Sequence, residues 1–312
     1  MTKHFNLFRS GLFLLLLSCS LLLSVSCQSA SDDTIVPEGQ STITFSVSNY
    51  RQISFDDLSR ASTIRLNLAN LSLTIFNAET NEVVSNDLHI SDDYFDKNNP
   101  SKALLFPQFS VTLPYGHYQL LVLGYNGSRA CNIASLNHIS WEGDYVPNTF
   151  LYCDEFTLDK NTNLNQQITL RHVVAAFCVY AEDVLPATLK KMRFSTTAGG
   201  TVLDATTGYT PQITSRTSDI IVPPDSLGSP CHFYSYLFLP EEQTTGNYTV
   251  QALGVNDVLI NEKHFNNVPL RINYKTEWQG KFFEASDDEG PSGEQIGFSI
   301  EWNMDWADTL TF

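Results

Sequence analysis

The sequence predicts an all-β protein built from two similar domains, on three observations. Apolar and polar residues alternate in short runs, as at Ile43, Phe45 and Val47, with the two-residue period of half-buried strands. Continuous apolar runs at 173–179 and 233–239 have the length of fully buried strands. The third observation is an internal repeat, which sets the number of domains.

The repeat joins residues 116–126, GHYQLLVLGYN, to residues 246–256, GNYTVQALGVN, with five of eleven positions identical. In each copy a glycine enters a strand and a second glycine marks its end or a bulge. The offset of 130 residues suits a duplicated domain of common size. We therefore expect an N-terminal domain over 41–165 and a C-terminal domain over 166–312, with an acidic linker over 27–40.

The first element is an export signal over residues 1–26. Lys3 and Arg9 form a basic start, residues 11–25 form an apolar core, and the chain turns polar and acidic after Cys27. A signal that stops at a cysteine is typical of a bacterial lipoprotein, so the sequence predicts a lipid on Cys27. The alternatives are an ordinary cleaved secretory peptide and a membrane-spanning helix, and the short core with Ser18 and Ser20 inside it disfavours the helix.

The position of the lipidated cysteine has a second candidate. Leu23 lies one residue further from Cys27 than the usual lipobox leucine, and Cys19 fits that spacing better. Cleavage before Cys19 would leave three consecutive leucines at the start of a polar mature chain. Cys27 is therefore preferred.

The charge of the chain limits its partners. The formal net charge is −16, and the only local basic run is 190–193, KKMR. Binding to nucleic acid requires clustered Lys and Arg, so nucleic acid is not an expected partner. The acidity suits a self-repelling protein at the cell surface.

Four cysteines follow the signal, in a compartment that permits disulfides. Cys131, Cys153, Cys178 and Cys231 include no CxxC pair, which disfavours a zinc knuckle. Cys178 lies within an apolar run and is expected to be a buried free thiol. If a bridge forms, Cys131 and Cys153 are the predicted pair.

Among the remaining elements, Leu71, Leu73 and Ile75 predict a further half-buried strand, and only residues 185–193 suggest a helix. The chain ends in a long alternation that places large apolar side chains on one face of a strand. These side chains are Ile296, Phe298, Ile300, Trp302, Met304 and Trp306. The strand either closes the second domain or docks into another subunit.

Sequence motifs for catalysis are absent. The chain has no HExxH, GxSxG, GxxxxGK[ST] or GxGxxG pattern, and residues 287–290 lack the ligand spacing of a calcium loop. We expect no enzymatic activity, metal, cofactor or small-molecule substrate. Trp141, Tyr145 and Tyr152 would form a sugar-stacking platform if exposed, which leaves a surface glycan-binding lipoprotein as an alternative, although loop aromatics are more often buried.

Several segments together resemble a known family. They are residues 170–177 (LRHVVAAF), Pro186, residues 191–194 (KMRF), residues 267–270 (NVPL), Asn273, Thr276, Gly280 and residues 282–283 (FF). With the lipoprotein signal and the C-terminal strand, they resemble the fimbrillin superfamily. More narrowly, they resemble the anchoring lipoprotein subunits of the type V fimbriae of Bacteroidetes.

The resemblance implies two tandem transthyretin-like β-sandwiches, held by the lipid to the outer membrane at the base of a fimbrium and joined to a shaft subunit by β-strand complementation. Shaft subunits of the family lose an N-terminal strand to an arginine-specific protease. Here Arg51, Arg60 and Arg65 follow the first strand. Cleavage there would separate the protein from Cys27, so an anchor is expected to stay uncut. A stalk or tip adhesin subunit is the alternative within the family.

Overall fold

The structure is a computed structural model that describes residues 39–47, 68–90, 108–162, 165–284 and 299–302. These residues form eighteen β-strands and three short 3-10 turns, and none of them lies in an α-helix. All of them belong to one compact unit, Glu38–Phe312. Within the described ranges, no helix has the length and apolar character needed to cross a membrane. The predicted all-β fold class is confirmed.

The first sandwich contains ten strands. They are β1 (Gln40–Val47), β2 (Asn70–Asn77), β3 (Val83–Ile90), β4 (Gln108–Pro114), β5 (Gly116–Tyr125), β6 (Cys131–Ser135), β7 (His138–Trp141), β8 (Thr149–Leu158), β9 (Asn165–Ile168) and β10 (Arg171–His172). A sheet in the order β4, β1, β9 packs against a sheet in the order β10, β8, β5, β2, β3, and β6 and β7 form a separate hairpin. β9 pairs with β1 and therefore belongs to the first sandwich. It spans Asn165–Ile168, so it crosses the domain boundary predicted between residues 165 and 166.

The second sandwich contains eight strands. They are β11 (Ala175–Ala181), β12 (Lys191–Thr196), β13 (Arg216–Ile221), β14 (Cys231–Leu237), β15 (Gln243–Leu253), β16 (Leu259–Arg271), β17 (Tyr274–Gly280) and β18 (Ser299–Trp302). One sheet has the order β14, β11, β17, β18, and the other has the order β13, β12, β15, β16.

The two sandwiches share one strand connectivity. β1 pairs with β4 antiparallel and with β9 parallel, just as β11 pairs with β14 and β17. The antiparallel series β3, β2, β5, β8 matches the series β13, β12, β15, β16. The repeated segments fall in β5 and β15, where Tyr118 and Tyr248 are each buried in the core of their own sandwich. The sequence repeat therefore corresponds to a repeated topology.

Three apolar cores hold the unit together. The first lies between the sheets of the first sandwich around Phe45 and Phe150, and the second lies between the sheets of the second sandwich around Phe177 and Phe194. The third joins the sandwiches around Trp141. Full burial of a large apolar side chain contributes about 1.5–3 kcal/mol, so each core makes a major contribution to stability.

Two sequence predictions of local structure are corrected. The helix predicted over 185–193 is wrong, because this segment is a turn, in which the Leu189 N–H donates to the Pro186 carbonyl at 2.9 Å, followed by β12. Its apolar residues have helical spacing because the turn buries Leu185 and Leu189 in the second core. The buried run at 173–179 is a strand only from Ala175, since its first two valines pack into the third core.

Candidate functional site

The N-terminal strand β1 lies at the centre of its sheet. It pairs with β4 from Gln40–Pro114 to Ser46–Gln108, and its other edge pairs with β9. Ile43, Phe45 and Val47 point into the first core with at most 1% of their surface exposed. Removal of β1 would separate β4 from β9 and open the first core to solvent. This strand is therefore an integral part of the first sandwich.

Part of the predicted C-terminal strand forms β18 at the edge of the second sandwich. β18 pairs antiparallel with β17, from Tyr274–Trp302 to Glu277–Ser299. In this chain Ile300 and Trp302 thus belong to a strand that closes its own sandwich. Among the described residues, no strand pairs with the equivalent edge of β9 in the first sandwich. In the part of the chain that the structure describes, the two sheets match except at this edge.

The junction between the sandwiches combines an apolar core with backbone hydrogen bonds. Ile139 in β7 exchanges hydrogen bonds of 2.9 and 2.8 Å with Leu203, and the Ala205 N–H donates to the Leu136 carbonyl at 2.7 Å. Trp141 stacks on Phe238 of the second sandwich, with 5.7 Å between the ring centroids. The β6–β7 hairpin therefore fixes the second sandwich to the first.

His172 is a buried polar link across the same junction. Its Nδ1 lies 3.0 Å from Asn273 Oδ1, its Nε2 contacts the side chain of Asn148, and its ring stacks on Phe150. Burial lowers the pKa of His172 to about 4, so the imidazole is neutral at pH 7. A neutral imidazole donates at one nitrogen only, so His172 donates a hydrogen bond to the side chain of one of the two asparagines. His172 and Asn273, which belong to two of the segments that carry the family resemblance, are therefore in contact and have a structural role.

The four cysteines after the signal are free thiols in the structure. The predicted bridge between Cys131, which begins β6, and Cys153, which lies in β8, is absent. Burial raises the pKa of Cys131 to about 12 and that of Cys153 to about 11. Cys178 is buried, as predicted.

The proposed platform of Trp141, Tyr145 and Tyr152 does not exist as an exposed surface. Trp141 is 3% exposed and belongs to the third core. Tyr152 packs against the first core, and its hydroxyl donates to Asp154 Oδ2 at 3.1 Å. Tyr145 alone lines a cleft. The predicted platform fails because Trp141 and Tyr145 pack with the third core, whereas Tyr152 packs against the first.

Several predicted site residues lie outside the described residues. They are Cys27, Arg51, Arg60, Arg65, Ile296, Phe298, Met304 and Trp306. Their roles stay predictions. Over the part of the chain that the structure describes, no three His, Cys, Asp or Glu side chains are grouped so that they would hold a metal ion.

Comparison with known families assigns the chain to one of them. Residues 108–311 match DUF6562, a family of unknown function. The chain belongs to this family, which has no assigned activity. No curated protein sequence matches the chain.

The solved structures to which the chain is similar include three fimbrial proteins, each with a TM-score below 0.5. A fimbrial assembly protein from Parabacteroides distasonis is 14% identical over 85% of this chain and 96% of its own, with a TM-score of 0.43. The fimbrial anchor protein Mfa2 from Porphyromonas gingivalis is 10% identical over 83% and 95%, with a TM-score of 0.38. The tip fimbrial protein Mfa3 from the same organism is 11% identical over 83% and 99%, with a TM-score of 0.40.

Proposed function

We propose that the chain is a non-enzymatic structural subunit of a fimbrium, and specifically the lipid-tethered anchor at its base in the outer membrane. The observation that carries the proposal is the position of β1. A tether that runs from Cys27 would enter the folded body through this strand, which is central in its sheet and buried on one face. An anchor needs such an attachment, whereas a shaft subunit of the family loses its first strand.

The geometry of β1 suits a mechanical load. Hydrogen bonds between strands run across the strand direction, so a pull along β1 loads the ladders to β4 and β9 at the same time. The hydrogen bonds between Ile139 and Leu203 and the third core would pass this load to the second sandwich. A tension path from lipid to filament is therefore available within the chain.

The next subunit would join by strand complementation at a sheet edge. The second sandwich has a strand beyond β17, whereas none of the described strands lies beyond β9. Matching topology makes the β9 edge the equivalent position for an added strand, and strands from other chains add at sheet edges. We place the strand of the shaft subunit at this edge.

Deletion of the gene in the native bacterium tests the anchor role. Loss of an anchor will release intact filaments into the medium, which electron microscopy and immunoblotting of the culture supernatant will detect. Filaments that stay on the cell but no longer adhere would indicate a tip subunit, and absent filaments would indicate a shaft subunit. Either outcome would contradict the anchor role.

Two cysteine variants test the tether separately from the fold. Cys27→Ser will abolish labelling with a palmitate analogue and release both protein and filaments. Cys19→Ser is the matched control, because Cys19 lies in the same predicted signal and is expected to be removed with it. Retained labelling of Cys27→Ser, or lost labelling of Cys19→Ser, would refute the assignment of Cys27.

A further inference from the structure

The same end of each sandwich is covered in the first sandwich and exposed in the second. Since the repeat aligns residues 116–126 with residues 246–256, Tyr125 at the end of β5 is equivalent to Val255 just after β15. Tyr125 is 4% exposed, because it lies in the third core, where the second sandwich packs on the first. Val255 is 60% exposed. The position that meets a neighbouring domain in the first sandwich therefore meets solvent in the second.

A second pair of equivalent residues shows the same contrast. Leu151 in β8 pairs with Leu123 and is fully buried in the third core. Leu259 in β16 pairs with Leu253, the repeat residue equivalent to Leu123, and is more than half exposed. Both positions carry leucine, so the difference lies in the neighbouring domain that covers Leu151.

The strand directions place this exposed end of the second sandwich away from the junction. β12 ends at Thr196 and leads to Leu203, which exchanges hydrogen bonds with Ile139 of the first sandwich. β12 begins at Lys191, which pairs with Leu253 at the end of β15. We name the exposed end the distal face and define it by Lys190, Ile221, Val255, Val258 and Leu259.

The distal face is apolar and has a groove. Its four apolar residues are each more than half exposed. A groove of about 520 Å³ is lined by Ile221 and Val255 and by the buried side chains of Leu189 and Val222. Single exposed apolar side chains are common on protein surfaces, whereas clusters of them mark sites of interaction with other molecules. The distal face has the character of a docking surface.

The loop that carries the two exposed valines of the distal face is held in place by ion pairs. Asn256 and Asp257 have φ of +56° and +57°, a region that residues other than glycine rarely adopt. At the position equivalent to Asp257, the first sandwich has Gly127. The Asp257 carboxylate lies 2.8 Å from Lys191 Nζ and 3.1 Å from Arg193 Nη2. These contacts preorganise the loop, which lowers the entropic cost of binding a partner.

The covered end of the first sandwich indicates the kind of partner that fits the distal face. There the cover is another β-sandwich, which supplies Leu203, Ala205 and Phe238 to the third core. The two sandwiches have the same strand connectivity, so their equivalent ends offer equivalent backbone frames. A β-sandwich domain is therefore the partner for which the chain itself contains a precedent.

Charge and tether position favour another subunit over the other possible partners. A second copy of the chain has the same net charge of −16, and this repulsion opposes pairing of two distal faces. β1 begins opposite Pro114, at the end of the first sandwich away from the junction. The proposed tether and the distal face are thus on different sandwiches, which favours a protein partner over the tethering membrane.

We propose that the distal face docks a β-sandwich domain of an adjoining fimbrial subunit, as the first sandwich docks the second. Val255, Val258 and Leu259 enter an apolar layer between the two domains, and Lys190 lies at its rim. This contact is separate from strand complementation at β9. It rests on the proposed role in a fimbrium but not on the position of the chain as the anchor.

Photo-crosslinking of the full-length protein in the native bacterium tests the proposal. p-Benzoylphenylalanine replaces Val255, and in the control it replaces Val83, a valine of β3 that is 51% exposed. Mass spectrometry identifies the crosslinked partner. We expect position 255 to crosslink to a β-sandwich subunit of the purified fimbriae at least tenfold more than position 83. Equal yields, no crosslink, or a crosslink only to lipid or to a second copy would overturn the proposal.

A matched pair of double variants measures the contact without a crosslinker. One variant combines Val255→Glu with Val258→Glu, and the control combines Val83→Glu with Val84→Glu. Both will keep the melting temperature, because all four valines are exposed. The distal-face variant will recover at least fivefold less of the adjoining fimbrial subunit from detergent-solubilised cells than the control. Equal recovery at equal melting temperature would contradict docking at the distal face.

Deletion of the gene separates this proposal from the anchor role. Filaments that stay on the cell after deletion, with a crosslink from position 255 to a filament subunit, would refute the anchor role and support the distal face. Filaments released by deletion, without such a crosslink, would support the anchor role and refute the distal face.

Discussion

Phe45→Ala will selectively loosen the sheet that holds the N-terminal strand. Phe45 is fully buried in the first core, and its ring packs edge-on against Phe156 with 5.5 Å between the centroids. Truncation of a buried phenylalanine to alanine costs about 3–5 kcal/mol. Since 1.4 kcal/mol corresponds to a factor of ten, the open state of this sheet will become about two to four orders of magnitude more populated.

Hydrogen exchange measured by mass spectrometry resolves this effect by region. Amides in β1, β4 and β9 will exchange faster in Phe45→Ala, whereas amides in β11, β14 and β17 serve as an internal reference and will change little. Thr44→Val is the matched control on the opposite face of the same strand. It removes only the exposed 2.9 Å hydrogen bond to Ser110 Oγ, at a cost below about 1 kcal/mol.

If Phe45→Ala and Thr44→Val accelerate exchange equally, burial of the inward face of β1 does not hold the strand in place. If Phe45→Ala accelerates exchange in both sandwiches to the same extent, the two apolar cores do not act as separate units.

Two further predictions concern the junction and the repeat. Lowering the pH from 6.5 to 4 will destabilise the fold by about 3 kcal/mol, because unfolded histidine takes up a proton near pH 6.5 whereas buried His172 has a pKa of about 4. His172→Gln will flatten this part of the dependence of urea midpoints on pH, and an unchanged slope would exclude His172 as its source. Gly246→Ala will destabilise by about 1–3 kcal/mol, because its Cβ would lie 2.2 Å from that of Ala198. At the equivalent Gly116 an added Cβ would lie 3.4 Å from the nearest atom, so Gly116→Ala will cost less than about 1 kcal/mol. Thermal unfolding of the two variants compares these costs, and equal losses of stability would contradict the packing argument.

The sequence predicts those parts of the fold that depend on local periodicity. Alternation at Ile43, Phe45 and Val47 identifies β1 because side chains in a strand point to opposite faces in turn. Periodicity misleads at residues 185–193. Their apolar residues have the three- and four-residue spacing of a helix, but the segment is a turn that buries Leu185 and Leu189 in the second core. Pairing partners are set by contacts distant in sequence, so the parallel pairing of β1 with β9 is not readable from either segment.

The junction between the sandwiches shows the same limit. Ile139 and Leu203 belong to different sandwiches, and no motif links them in the sequence. Trp141 stands out in the sequence as a candidate for sugar stacking, but it packs against Phe238 across the junction.

The N-terminus of the mature protein in the outer membrane tests the central claim most directly. Mass spectrometry of protein extracted from the native bacterium will find an acylated Cys27 continuous with Arg51, Arg60 and Arg65, because an anchor must keep its tether and β1. A mature chain that begins at Ala61, or directly after Arg51 or Arg65, would have lost both. That result would contradict the anchor role and indicate a shaft or tip subunit.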